Sequence, residues 1–319
     1  MSKKDGEVDI IDLHFHTCNR RNLRDPPSQC TFELFQDYNN IINIKLVSIE
    51  IPSTWYMITK NNNKFIIRFK FNKDYKRQPK DGNDCDCYGN PYDKMPKEVC
   101  IEMEPGNYSI DKFTVVLNGL LRQIPKSCHE HVKVRAEFNE CTLRYKLCFE
   151  FLTGKVKTAT VIFVEEPVTR KKLCTSLGWL MGFREPKYII ENDFHCDEYE
   201  SCIESEGLFN GSKDRYLYFA LEEQQSYDNT NKICLYDQVI ERYILGKIVI
   251  HDGAFSIIMH EYDDANKILT TFLKKVKRIR QLGIAILDEW GDVVDMNNMD
   301  FSFTLQFIRI YNHIRYPIS

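Results

Sequence analysis

VKVRAEFNECTLRYKLCFEF, Val132 to Phe151, carries an apolar side chain at every second position: Val132, Val134, Ala136 and Phe138, then Leu143, Tyr145, Leu147, Phe149 and Phe151. A two-residue period is the mark of a strand with one buried face. Only Asn139 to Thr142 separate the runs, so the pair reads as an antiparallel hairpin. The same alternation lies upstream in FIIRFKF, where Phe65, Ile67, Phe69 and Phe71 share one side and Ile66, Arg68 and Lys70 the other. Val156 to Val164, Tyr216 to Leu221, Leu282 to Leu287 and Phe301 to Ile310 add β-branched or aromatic runs, most of them bounded by Gly, Asn, Asp or Pro. Between Ile41 and Ile51 the apolar set changes phase, from Ile42, Ile44 and Leu46 to Val47, Ile49 and Ile51, which in one strand requires a bulge or burial on both faces.

Helical spacing is rarer. Phe113, Val116, Leu117, Leu120, Leu121 and Ile124 form one stripe behind a Ser109 cap and before Pro125, which predicts a helix over 110 to 123. A second candidate runs from Asp264 to about Arg280, and a third from Thr169 to about Met181, ending at Gly182. Strand runs with isolated helices argue for a mainly β protein, an antiparallel β-sandwich with two or three short helices, and against a parallel α/β fold. Residues 72 to 96 and 191 to 212 read as long loops, and residues 1 to 30 as an extended N-terminal arm. The β-rich remainder, 31–319, reads either as one body or as two halves, 31–170 and 171–319.

At 319 residues the chain has length for about two domains. It has 43 Lys plus Arg against 46 Asp plus Glu, a balance that favours neither a nucleic-acid binder nor an acidic tail. The longest apolar stretches fall short of a membrane span and Met1 to Val8 is polar, so the expectation is an intracellular, non-spanning protein. Twelve cysteines spread over a long chain read as free thiols, with Cys141 and Cys148 packing as small hydrophobes.

Candidate chemistry is sparse. Asp12, His14 and His16, in IDLHFHT, share one side of an extended segment and suit a divalent metal, which makes a metal-dependent hydrolase one alternative. That segment resembles the first metal-binding strand of amidohydrolases and of the polymerase-and-histidinol-phosphatase-type phosphoesterases, but the repeated strand and helix units of their barrels are missing. Cys85 with Cys87, Cys128 with His129 and His131, and His195 with Cys196 and Cys202 are no zinc framework. No phosphate-binding glycine loop or nucleophile elbow occurs, so no cofactor, metal or catalytic residue is assigned. Glu165 and Glu166, adjacent in a strand-like run, point to opposite faces. KKVKRIR, Lys274 to Arg280, concentrates positive charge on the predicted helix and supports a second alternative, a nucleic-acid-binding packaging accessory.

Four segments in order resemble the minor capsid and virion structural proteins of the nucleocytoplasmic large DNA viruses. They are TFELFQDYNNIINIKLVSIEIPSTWYMI with NNKFII, EPGNYSIDKFTVVLNGLL, SLGWLMGFR, and ILDEWGDVVDMNNMDFSFTLQF, within residues 31 to 310. The arm matches only at Arg24, Asp25 and the prolines. The resemblance implies a sandwich of jelly-roll type in the shell of an icosahedral particle, beneath or between major capsid capsomers or at vertices, assembled in the host cytoplasm. The implied partners are the major capsid protein, other minor capsid proteins and further copies of itself, with no membrane span and no nucleic acid. Leu177, Gly178, Trp179, Leu180, Gly182 and Phe183 are expected to pin a turn into the core, and Trp290, Gly291, Phe301, Phe303, Leu305 and Phe307 to set a closing hairpin. Interface candidates are Arg20, Arg21 and Arg24 in the arm and Lys274, Lys275, Lys277 and Arg278 in the basic run.

Overall fold

The computed structural model describes residues 7–72, 96–192, 200–211, 215–222, 232–235, 239–250, 256–262 and 271–311. In chain order the elements begin β1 (Glu7–His16), β2 (Gln29–Pro52), β3 (Lys64–Phe71), β4 (Glu98–Glu102), α1 (Ile110–Leu121), α2 (Lys126–His129), β5 (Val132–Asn139), β6 (Arg144–Phe151) and β7 (Val156–Ile162). They continue α3 (Arg170–Cys174), α4 (Leu177–Leu180), β8 (Lys187–Glu191), β9 (Glu200–Glu204), β10 (Tyr216–Glu222), β11 (Lys232–Cys234) and β12 (Val239–Glu241). β13 (Tyr243–Val249), β14 (Ile257–Glu261), β15 (Thr271–Leu287) and β16 (Ser302–Tyr311) complete the series. The strand pairs of the described residues are antiparallel.

The chain separates into two compact units, with Tyr56–Lys213 inserted between Met1–Trp55 and Asp214–Ser319. That division differs from halves at 31–170 and 171–319, because periodicity marks strands without saying which ones share a sheet. In the inserted unit, sheets of order β4-β3-β7-β8 and β5-β6-β9 close over one core. Phe65, Ile67 and Phe69 come from the first sheet, Tyr145, Leu147 and Phe149 from the second, and Phe113, Leu117 and Leu121 from α1. α1 forms as its stripe predicts, with Ser109 Oγ accepting from Lys112 N–H. The β5–β6 hairpin pairs Val132 with Phe151 and Asn139 with Arg144, and Leu143 sits in the turn with φ 53°.

The discontinuous unit is built on one sheet of order β1-β16-β2-β15-β10-β13, with β14 also paired to β2. Neighbouring strands lie about 4.8 Å apart, so β16 and β10, three steps apart, would stand about 14 Å apart in a flat sheet. Phe303 of β16 and Phe219 of β10 nevertheless meet with ring centroids 5.0 Å apart. The sheet therefore curls around its own core, where Phe15, Phe32 and Phe303 also pack. The phase change in β2 is a bulge: Thr304 faces Ser48 while Leu305 faces Leu46, leaving Val47 as the extra residue. Leu46 and Ile49 can thus both be buried.

Several expectations need correction. The helix from Asp264 to Arg280 is not formed over 271 to 280, which belongs to strand β15; its apolar spacing imitates a helix because β15 carries register breaks against β2. Residues 263–270 lie outside the described residues, as do 73–95 of the expected 72–96 loop. The 169–181 helix is two short ones, divided where Ser176 caps α4 by accepting from Trp179 N–H. The 191–212 loop contains β9. Within the expected arm, Glu7–His16 is a strand paired along its length with β16. β15 and β16 do not form a closing hairpin, since β2 lies between them. Cys148 is not a free thiol but forms a disulfide with Cys202, which β9 brings opposite it in the ladder.

Candidate functional site

Asp12, His14 and His16 do lie on one face of β1, and each is engaged separately. Asp12 Oδ1 accepts from Gln306 Nε2 at 3.0 Å, His14 Nδ1 is 2.9 Å from Thr304 Oγ1, and His16 Nδ1 accepts from the Cys18 N–H at 3.2 Å. This arrangement serves strand pairing and a cap rather than convergence on an ion. Likewise His129 Nε2 meets the Arg122 carbonyl and His131 Nδ1 meets Thr153 Oγ1, while Cys128 is buried, which raises its thiol pKa. Cys85, Cys87, His195 and Cys196 lie outside the described residues. Among the described residues, Cys148, Glu200 and Cys202 are grouped tightly enough to consider a metal. Both sulfurs are committed to the disulfide, so no thiolate remains to ligate.

The strongest polar constellation joins the residues after β1 to the start of β16. Arg20, whose side chain is 8% exposed, donates from Nη1 to Asp300 Oδ1 at 2.7 Å and to the Thr17 carbonyl at 2.9 Å. Its Nε donates to the Asp25 carbonyl and its Nη2 to that of Leu23. Thr17, fully buried, donates to Asp300 and accepts from Phe301 N–H. Arg20 is thus a knot inside the unit. Arg21 and Arg24 are exposed, and Arg21 Nε lies 4.0 Å from Glu33. The sequence marks Arg20 as charged but gives no sign of Asp300 as its partner, because 280 residues separate them.

LGWLMGFR holds its neighbourhood by close approach. Leu177 and Phe183 are fully buried, Phe183 stacks on Phe163 at 5.0 Å, and Gly178 lies so near that ring that a Cβ would stand 2.2 Å from Phe163 Cγ. Gly182 has φ +97° and faces the Gly207 carbonyl. The Arg184 guanidinium lies 4.2 Å from the Trp179 ring centroid. Tyr188 donates to Glu206 and accepts from the Arg184 and Glu185 N–H groups; burial first, then Glu206, raises its pKa to about 12. At the other motif, Asp288 Oδ1 accepts from Trp290 and Asp292 N–H, Gly291 takes φ +79°, and Phe301 and Phe303 are buried.

Two outward surfaces differ in kind. The face of β5-β6-β9 is self-paired: Lys133 with Glu150, Arg135 with Glu137 and Glu200, and Lys146 with Glu204. The opposite case lies on β2, where Gln281 of β15 faces Glu33 but Ile279 faces Tyr38, so Leu34 to Asp37 stand opposite Arg280 alone. This bulge projects Phe35, whose relative exposure is 106%, while Asp37 pairs with Arg278. Period-two analysis does not single out Phe35. Lys274, Lys275 and Lys277 fall on β15, with side chains outside the described residues. Among the described residues no helix is long and apolar enough to cross a membrane.

No protein-family model matches this chain, and no curated protein does. Among solved structures, the mavirus penton protein is similar over 94% of this chain and 99% of that one, at 8% sequence identity and TM-score 0.46. The Sputnik virophage structure determined by cryo-electron microscopy is similar over 94% and 98%, at 12% identity and TM-score 0.39.

Proposed function

We propose that this chain is a structural component of an icosahedral virus particle, a minor capsid protein that supports or crosslinks the major capsid capsomers or occupies vertices. The observation that carries this function is the ordered resemblance of four segments between Thr31 and Phe307 to virion structural proteins of large DNA viruses. The geometry is consistent with it. The work of those segments is packing: Phe183, Phe301 and Phe303 sit in the buried cores, Trp179 lies against the Arg184 guanidinium, and Asp300 ties the stretch after β1 to β16. Side chains that suggest hydrolytic chemistry are spent on single hydrogen bonds at strand surfaces. The nucleic-acid alternative places a basic face on a helix over Lys274 to Arg280, and that run belongs to strand β15 instead.

Purified particles test the proposal. Mass spectrometry is expected to find the chain at a fixed ratio to the major shell protein, and cryo-electron microscopy to place its density in the shell. Absence from particles, with the protein retained only in infected-cell extract, overturns it.

A further inference from the structure

We infer that the β2 bulge, Leu34 to Asp37, is a protein-docking peg whose Phe35 ring enters an apolar socket edged by carboxylates on a neighbouring protein of the particle. This inference rests on the structural role proposed above and adds the contact surface and the chemistry of its partner. Three observations converge. Four residues of β2 stand opposite the single residue Arg280, so the sheet gives up ladder hydrogen bonds to make the projection. Phe35 at its crest is fully exposed, although Leu34 beside it is buried. The flanking charges are guanidinium groups on the adjacent strand: Arg278, tied to Asp37, and exposed Arg280, which has no ion-pair partner among the described residues.

An aromatic ring beside guanidinium groups is the composition of an energetic centre in protein contacts, since the ring supplies buried area and the planar fork recognises carboxylates. The complementary surface is therefore apolar at the centre and acidic at the edge. A membrane suits the bulge less well. A single ring on a short bulge gives little apolar area to insert among lipid chains. With Asp37 paired to Arg278 and Glu33 4.0 Å from Arg21, Arg280 is the flanking charge left for a carboxylate, far short of the basic cluster that an anionic lipid surface recruits.

The test uses particles carrying the full chain. With p-benzoylphenylalanine at position 35, irradiation is expected to join the chain to one shell protein through a peptide containing apolar and acidic residues, while the same probe at exposed Val115 does not yield that product. Phe35→Ala and Arg280→Glu are each expected to speed release from particles roughly thirtyfold, with Phe35→Trp holding near the wild-type rate. Unchanged melting temperatures of the purified variants establish that the loss is one of contact. Wild-type retention of both variants, a crosslinked peptide lacking carboxylates, or Phe35-dependent flotation with phosphatidylcholine and phosphatidylserine vesicles overturns the inference while leaving the structural role intact. Absence of the wild-type chain from particles overturns both.

Discussion

Gly178 and Gly119 show how differently one residue type can be constrained. A methyl group at 178 would stand 2.2 Å from Phe163 Cγ, and that ring cannot swing away because it is 6% exposed and stacked on Phe183. Gly178→Ala is expected to cost about 1–3 kcal/mol in denaturant titration. Gly119, inside α1, has open space at its Cβ, so Gly119→Ala is expected to stabilise by about 0.5–1 kcal/mol. Tyr145 makes a pH prediction at the same scale. Thr114 Oγ1 donates to the Ile110 carbonyl, so the buried Tyr145 hydroxyl donates to Thr114 Oγ1. Burial raises its pKa to about 12, above the unfolded value near 10. Between these limits the unfolded chain releases a proton that the folded chain keeps. Its contribution is therefore full below pH 10 and falls by about 1.4 kcal/mol per pH unit up to pH 12. Tyr145→Phe is expected to cost about 1 kcal/mol at pH 8, through the lost hydrogen bond, and to narrow that deficit by pH 11, measured by urea midpoints at both values.

Among the elements, β9 has the most conditional place. It is an edge of the three-stranded sheet, paired to β6 from Lys146–Glu204 to Glu150–Glu200, with Cys148–Cys202 at the centre of that register. A bridge across 54 residues restricts the unfolded chain considerably. Cys148→Ser together with Cys202→Ser is expected to lower stability by about 2–4 kcal/mol, and dithiothreitol to lower the wild-type melting temperature but not that of the double variant. Equal melting of wild type and variant under oxidising conditions would contradict this. The bridge was not legible in the chain because spacing does not reveal strand partners, and Cys202 lies in a segment whose polar residues read as loop. The β5–β6 hairpin, α1 and the β2 phase break were legible, since each rests on side-chain period and local caps. Over Thr271–Arg280 the sequence of β15 reads as helix because register breaks against β2 disturb the two-residue period. The site was less legible than the fold. Arg20 was marked by its charge, but its role depends on Asp300, and Phe35 projects only because β2 and β15 pair out of step.

For the whole molecule, the decisive fact is that a continuous segment, Tyr56–Lys213, interrupts a unit made from both ends of the chain. The inserted segment contains both of its sheets, its disulfide and every buried member of its core cluster. Nothing in that core waits for the rest of the polypeptide. The other unit is the reverse: β2 obtains its neighbours β14, β15 and β16 only after residue 256, so the first 55 residues have no sheet to join when translated alone. Residues 56–213 expressed by themselves are therefore expected to unfold in one cooperative transition with native-like near-ultraviolet circular dichroism, whereas residues 1–55 alone remain unfolded. The full protein is then expected to show two calorimetric transitions, and Gly178→Ala to lower only the one it shares with the isolated segment. A segment 56–213 without cooperative unfolding, or a variant that shifts both transitions equally, would mean that the two cores do not act as separate units.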